Sequence, residues 1–258
     1  MRRQALQALS LSNPEEKVRA VRGIACLTEV DVAAALAPSG PIPGRPSRPQ
    51  LVAPNQVKSR STHTAEGRAA LIHSLAHIEF NAINLALDII WRFTAMPAQF
   101  YLDWLRVAHE EAYHFELLVN HLGTLGHSYG DFPAHDGLWE MAERTNTDLL
   151  ARLALVPRTL EARGLDASPV VRNKLASAGD QEAAAIIDII LRDEIGHVAI
   201  GNHWYRYLCG MQALDPLKAY QELAEKYRAP RLRGPFNIDA RRLAGFTEDE
   251  LNHLTQHA

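Results

Sequence analysis

Two segments of the sequence place a glutamate and a histidine three residues apart within an apolar, helix-like pattern. One is Glu194-x-x-His197 in "RDEIGHVAIG", and the other is Glu111-x-x-His114 in "EEAYH". On an α-helix this spacing puts both side chains on one face, one turn apart. A carboxylate and an imidazole on a buried face need a partner that offsets the cost of removing them from water. A metal ion is such a partner.

Two further glutamates interrupt apolar rows of predicted helices, Glu79 in one and Glu161 in another. Glu143, five turns before Glu161 on the same face, is the alternative to Glu161. The order along the chain is a lone glutamate, Glu-x-x-His, a second lone glutamate and a second Glu-x-x-His. This is the ligand set of a di-metal carboxylate site in the core of a four-helix bundle. The predicted ligands are Glu79, Glu111, His114, Glu161, Glu194 and His197.

The residue types indicate which metal ions such a site would hold. Carboxylate oxygens are hard ligands that can bridge two divalent ions, and neutral imidazoles complete the coordination. Two cations also offset the mutual repulsion of four buried carboxylates, which would otherwise raise each other's pKa. The sequence therefore predicts two metal ions, with iron as the first interpretation and manganese as the alternative.

The spacing of the glutamates agrees with two helical hairpins. Glu79 and Glu111 are 32 residues apart, and Glu161 and Glu194 are 33 apart. In the first pair the chain runs fourteen residues to Phe93, turns, and runs fourteen residues back from Pro97. Each leg covers about 21 Å at ~1.5 Å per residue, so both ligands reach one level.

The second pair fits the same geometry only if the third helix continues past an interruption. That helix is predicted from about Leu138 to Arg163, and "GLDASP" (164–169) is expected to break it. Ser168 and Pro169 would then restart it as cap and first helical position. Asp180 caps the last long helix, which is predicted from Gln181 to Cys209.

The remaining segments predict an all-α protein without a convincing strand. Residues 3–37 look helical, with Asn13 as an N-cap, and a segment with six prolines (37–54) cannot be regular helix. The predicted organisation is an N-terminal helix and proline-rich connector (1–58), a four-helix bundle (59–212) and a C-terminal extension packing on the bundle (213–258). Thr247 and Glu250 have capping-box spacing at the start of a final helix.

Several residues have a competing interpretation. A third Glu-x-x-His, Glu250 to His253, lacks an apolar stripe and is interpreted as a surface coincidence. Each of the other pairs could instead be a buried ion pair. His73 and His77 are interpreted as solvated or as supporting neighbours of the ligands. Tyr113 is interpreted as core packing, with a redox or hydrogen-bonding role as the alternative.

Composition excludes several classes of function. The chain has 258 residues, 47% of them hydrophobic and 22% charged, with a net charge of −3. This balance gives no general electrostatic affinity for nucleic acid or anionic membranes. No apolar run is long enough to span a bilayer, and two cysteines without CxxC spacing fit a reducing environment. The expected location is cytoplasmic.

Four stretches carry a resemblance to a known superfamily: "HIEFNAINLALD", "HEEAYHFELL", "PRTLEARGLDASP" and "RDEIGHVAIGNHWY". Together with the proline-rich segment and the tail "RGPFNIDARRLAGF", they resemble the ferritin-like superfamily, and more closely a bacterial family of unknown function within it. The resemblance implies a ferritin-like four-helix bundle with a di-iron carboxylate site. It also implies O₂-dependent oxidation of organic molecules, iron oxidation and storage, or peroxide and radical chemistry.

The first functional interpretation is an O₂-activating oxidase or hydroxylase of a small or nucleotide-like substrate, similar in fold to ferritin-like tRNA hydroxylases. An electron-donor protein would supply the reducing equivalents, and a homodimer is plausible. The alternatives are a ferroxidase or iron-handling protein, and a non-catalytic module braced by metal. An arginine cluster in the tail could bind an anionic group or RNA phosphates, or could be solvated or salt-bridged: Arg228, Arg231, Arg233, Arg241 and Arg242.

Overall fold

The computed structural model of the protein describes residues 1–26, 30–58 and 60–256. Throughout that described part the regular structure is helical, apart from one isolated β-bridge between Leu51 and Ala134. The α-helices are α1 (Arg2–Ser10), α2 (Pro14–Arg22), α3 (Ala65–Arg92), α4 (Ala98–Thr124), α5 (Gly137–Arg144), α6 (Leu149–Leu155), α7 (Ala162–Ser177), α8 (Gln181–Met211), α9 (Pro216–Lys226), α10 (Ile238–Leu243) and α11 (Glu248–Gln256). A π-helical segment, Val156–Glu161, joins α6 to α7, and a 3₁₀ turn spans Pro54–Gln56.

The chain divides into two compact units, residues 1–139 and 140–258, and the division falls within α5. In the first unit the long helices α3 and α4 pack against each other as a hairpin. Thr64 begins α3 because its side chain accepts a hydrogen bond from the Gly67 amide. Pro97 precedes α4, where a residue without an amide hydrogen leaves no helical hydrogen bond unmade. The end of α3 and the start of α4 each lie one residue from the predicted turn positions, Phe93 and Pro97.

The N-terminal helices pack on this hairpin, α1 against α3 and α2 against α4. Lys17 of α2 is buried, and its ammonium donates to the carbonyls of Leu9 and Gly44 and to Asn84 Oδ1 on α3. Burial, reinforced by the charge of Arg45, lowers the pKa of Lys17 to about 7. The buried amine of Lys17 thus ties α2 to α1, to the proline-rich segment and to α3.

The predicted helix over residues 3–37 is only partly correct, because helix ends at Arg22 and residues 30–37 are irregular. The buried guanidinium of Arg2 explains the difference: it donates to the carbonyls of Asp31 and Ala34. A third carbonyl, that of Val32, accepts from the Ala95 amide. These carbonyls therefore accept hydrogen bonds from residues distant in sequence, and not from amides of the same helix. Residues 27–29, which belong to the same prediction, lie outside the described residues.

The proline-rich segment has no regular helix, as predicted, and its last part docks on the first unit. Val52 N–H donates to the Ala134 carbonyl, and the Ala134 amide donates back to Gln50. The predicted domain boundaries after residues 58 and 212 stay predictions, and residue 59 lies outside the described residues. Of the helices in the described ranges, none has the length and apolar character needed to cross a membrane.

In the second unit α7 and the π-helical segment pack against α8, while α6 contacts both α8 and α9. Asp180 caps α8 as predicted, accepting from the Ala183 amide at 3.0 Å. A small apolar core joins α7, α8 and the C-terminal residues that follow α9. It consists of Ala162, Leu165, Val198, Ala240 and Ala244. The fold class is therefore all-helical, and the ferritin-like arrangement of four helices stays a prediction.

The expected break at residues 164–169 is wrong, because α7 continues through Pro169. A proline inside a helix leaves the carbonyl four residues earlier without its amide donor. Here that carbonyl belongs to Leu165, and it accepts a hydrogen bond from Asn237 Nδ2 at 3.2 Å. The interruptions of the third helix lie earlier, at residues 145–148 and in the π-helical segment that contains Pro157.

Candidate metal centre

The first unit brings three of the predicted ligands together. Glu79 lies on α3, and Glu111 and His114 lie one turn apart on α4. His114 Nδ1 is 3.2 Å from Glu79 Oε2 and 3.5 Å from Glu111 Oε2. One ligand atom from each of the three residues lies within 4.8 Å of the others, and all three side chains are buried. The group satisfies the distance requirement for common coordination of a cation.

The hairpin produces this convergence as the spacing predicts. Thirteen residues separate Glu79 from the end of α3 at Arg92, and thirteen separate the start of α4 at Ala98 from Glu111. Both legs therefore cover about 20 Å. The apolar residues around the ligands belong to the packed faces of α3 and α4, so the same faces form the core and place the ligands.

Electrostatics in this group favours a bound cation. Burial and the negative charge of Glu111 raise the pKa of Glu79 to about 8. Burial opposes protonation of His114, but its hydrogen bonds to Glu111 and Glu79 raise its pKa well above the usual value. Two buried carboxylates thus lie beside a single imidazolium, whose charge can balance one of them. A metal ion coordinated by all three would replace that proton and neutralise the carboxylates.

The second unit holds the other three predicted ligands on two adjoining elements. Glu194 and His197 are buried on α8, with His197 Nδ1 3.2 Å from Glu194 Oε1. Glu161 is the last residue of the π-helical segment and is half-buried. Glu143, its rival, is exposed on α5, which favours Glu161 as the candidate.

Close packing of the π-helical segment on α8 depends on a glycine. A Cβ atom added at Gly201 would lie 2.6 Å from Pro157 Cβ, closer than such contacts normally occur. The extra backbone residue that a π-helical turn accommodates is a common feature of functional sites. Here the turn ends at Glu161, so it sets the direction from which that carboxylate leaves the helix.

Two histidines of α3 lie six and two residues before Glu79, and the interpretation of them as solvated is wrong. His73 is buried, and its Nε2 accepts from the Gly130 amide at 2.9 Å. His77 is also buried, with Nδ1 2.8 Å from the Tyr129 hydroxyl and Nε2 3.0 Å from Asn81 Nδ2. Burial lowers the pKa of each histidine to about 4. Sequence reasoning missed this network because its partners lie in the loop after α4.

The structure corrects two other interpretations and shows that the arginine cluster has members of two kinds. Tyr113 is 41% exposed and is not core packing. Glu250 is not a surface residue, because it is buried and paired with Arg158 and Arg206. The arginine cluster divides: Arg241 is buried against Asp166, whereas Arg242 pairs with Asp239 and Glu248 at the surface.

The donor set in each unit fits a hard or borderline divalent ion. Each set of three predicted ligands has two carboxylates and one imidazole, and neither set includes a cysteine, which would select a softer metal. Glu79, Glu111 and His114 could hold one ion. Glu161, Glu194 and His197 as ligands of a second ion stay a prediction. The described part of the chain is thus an all-helical protein with a buried carboxylate–histidine group able to hold a metal ion.

Comparison with known proteins then gives the family. Residues 10–252 match the family described as protein of unknown function (DUF455), and the chain belongs to that family. A protein of Haemophilus influenzae, described as an uncharacterized protein, is 50% identical over 261 residues, which cover 96% of this chain and 91% of that protein. No solved structure is significantly similar to the chain.

Proposed function

We propose that the protein is a di-iron carboxylate oxidoreductase that uses O₂ to oxidise or hydroxylate a small or nucleotide-like substrate. The observation that carries the proposal is the buried group of Glu79, Glu111 and His114, whose ligand atoms lie within 4.8 Å of one another. A group of two carboxylates and one imidazole is costly to bury without a cation.

Repetition of the ligand pattern supports a pair of ions. Each compact unit contributes a glutamate from one helical segment and Glu-x-x-His from the next. We propose that these six residues bind two ions, because they are the ligand set of di-metal carboxylate proteins. The notable departure from a regular bundle is the π-helical turn at Glu161, a kind of turn that often marks functional sites.

The bound irons would supply the electrons and the open coordination positions for O₂ chemistry. The side chains have separate roles around them. The four carboxylates balance the charge of the ions, and the two histidines complete the coordination. The apolar faces of α3, α4 and α8 keep bulk water away from the ligands, because Glu79, Glu111, His114, Glu194 and His197 are all buried.

The test is O₂ consumption by the full chain after anaerobic loading with Fe(II) and removal of unbound iron. We expect rapid uptake of O₂ at about one molecule per pair of irons, as measured with an oxygen electrode. Glu161→Gln should slow the uptake at least about tenfold, because it removes one ionised ligand. Glu143→Gln is the matched control, since Glu143 is exposed on α5 and should leave the rate unchanged.

Three results would contradict the proposal. One is O₂ uptake no faster than that of the same Fe(II) concentration in buffer. Another is equal rates for Glu161→Gln and Glu143→Gln together with unchanged iron content. Continued uptake of many irons per chain into a large oligomer would indicate iron storage instead of substrate oxidation.

A further inference from the structure

A cavity in the second unit combines apolar walls with two buried arginines. Its volume is about 40 Å³, and it is partly open to solvent. Its apolar walls include Leu217, Leu232, Phe246 and Leu254. Its charged and polar lining includes Arg158, Arg241, Glu250 and His253. Ligand sites commonly have this composition, a mainly apolar surface with a few fixed polar groups. None of these residues is a proposed metal ligand.

The guanidinium of Arg158 is held rigidly beside this cavity. Its Nε donates to Asn202 Oδ1 at 2.6 Å, and its Nη2 donates to Glu250 Oε1. Three aromatic rings surround it, with the centroid of Tyr205 at 4.2 Å and those of Phe246 and Tyr220 at 5.4 and 5.6 Å. The arginine is therefore oriented before any ligand arrives, which reduces the entropy lost on binding.

One donor of this arginine lacks an acceptor within the part of the chain that the structure describes. Arg158 Nη1 is buried, and no atom of residues 1–26, 30–58 and 60–256 accepts a hydrogen bond from it. A buried charged donor without an acceptor is costly, and such groups are rare in folded proteins. Glu250 does not serve it, because Oε1 accepts from Nη2 while Oε2 accepts from Arg206 and Thr247.

The charge around the cavity is also incomplete. Arg158 and Arg206 share the single carboxylate of Glu250, while Arg241 pairs with Asp166 through two hydrogen bonds. Three guanidinium groups therefore face two carboxylates. Arg158 lowers the pKa of Glu250 against the effect of burial, with help from Thr247 and Arg206, so the glutamate is ionised at neutral pH. These five side chains together carry one net positive charge.

We infer that this cavity is a binding site for a small organic monocarboxylate with an apolar body, whose carboxylate accepts from Arg158 Nη1. The carboxylate would supply both the missing acceptor and the missing negative charge. The apolar body would lie against the leucines and Phe246. The inference is independent of the metal centre and holds whether or not iron binds.

The experiment is isothermal titration calorimetry on the full chain in the presence of EDTA, so that no metal ion can bind the carboxylate. The probes are phenylacetate, its neutral analogue phenylacetamide, and acetate, which lacks the ring. We expect one phenylacetate per chain, bound at least about tenfold more tightly than either of the other two. The same result is expected for His114→Ala, which separates this site from the metal proposal.

A pair of variants locates the binding without disturbing the buried arginine. Leu232→Trp fills the cavity from an irregular segment and should abolish the phenylacetate signal. Leu214→Trp is the matched control, because Leu214 is 40% exposed and is not part of the cavity wall. Equal affinity for phenylacetate and phenylacetamide would overturn the inference. Wild-type affinity in Leu232→Trp, or no binding up to about 10 mM phenylacetate, would overturn it as well.

Discussion

Replacing Gly201 by alanine should destabilise the second unit, although alanine is normally the better helix residue. Gly201 lies in α8, and an added Cβ would be 2.6 Å from Pro157 Cβ and 2.9 Å from its Cγ. The proline ring would have to withdraw by about 0.8 Å to restore an ordinary contact. Overpacking of this kind costs about 1–3 kcal/mol.

Gly196→Ala provides the matched control on the same helix. Apart from its chain neighbours and its own helix backbone, no atom of the described residues lies within 4 Å of a Cβ at Gly196. The helix-propensity gain of up to ~1 kcal/mol therefore applies there without a clash. Both variants share the helix-propensity gain of alanine over glycine. The difference between their free energies of unfolding therefore measures the clash at Gly201. We expect Gly201→Ala to be less stable than Gly196→Ala by about 1–3 kcal/mol in urea denaturation of the metal-free protein.

The iron content of the two variants extends the test to the site. Withdrawal of Pro157 moves the π-helical segment that ends at Glu161, so Gly201→Ala should also retain less iron than Gly196→Ala. Equal free energies of unfolding for the two variants would refute the packing argument. A stability difference without a difference in iron content would refute the assignment of Glu161 as a ligand.

Two further predictions concern acid stability and the C-terminal helix. The pKa values of His73 and His77 are about 4 in the folded protein and about 6.5 in the unfolded chain. As pH falls from 6.5 towards 4, these histidines therefore become protonated in the unfolded chain but stay neutral in the folded protein. Stability should therefore fall over that window, by about 2 kcal/mol per histidine at pH 5, and His73→Gln should remove about half of the slope in denaturant titrations. A pH-independent unfolding midpoint between 6.5 and 4.5 would contradict this. Thr247→Ala should lower the free energy of unfolding by about 1 kcal/mol, because it removes the reciprocal cap with Glu250. The control Thr255→Ala should change that free energy by less than about 0.5 kcal/mol in the same assay. Equal effects of the two substitutions would refute the cap.

Local interactions explain what the sequence could predict about the helices. The caps at Asn13, Thr64 and Asp180 are contacts between residues three apart, so the sequence alone contains both partners. The same holds for the capping box of Thr247 and Glu250. The register of Glu79 with Glu111 was equally predictable, because a short turn between two helices fixes it by counting residues.

Distant partners explain the errors. Residues 30–37 are not helical because Arg2, about thirty positions earlier, takes two of their carbonyls. Helix α7 passes through Pro169 because Asn237, about seventy positions later, serves the carbonyl of Leu165. Burial of Glu250 likewise depends on Arg158, ninety-two positions away. A helical pattern in one segment carries no signal for partners at such separations.

In the candidate sites, too, local patterns were predictable from the sequence and distant contacts were not. The two Glu-x-x-His motifs were visible because spacing and apolar context occur within one helix. The importance of Arg158 was not visible in the sequence, because its only signal was a charged residue in the apolar run "LLARLALVPRTLE". The aromatic rings that surround it come from α8, α9 and the segment after α10.

The number of iron atoms per chain tests the central claim most directly. After anaerobic loading with Fe(II) and desalting, elemental analysis should give two irons per wild-type chain, and Mössbauer spectra of the oxidised protein should show an exchange-coupled pair. His114→Ala and His197→Ala should each hold one iron or fewer, whereas His253→Ala, from the third Glu-x-x-His, should hold two. Less than one iron in the wild type, or two irons in both His114→Ala and His197→Ala, would contradict a di-metal centre built from these residues.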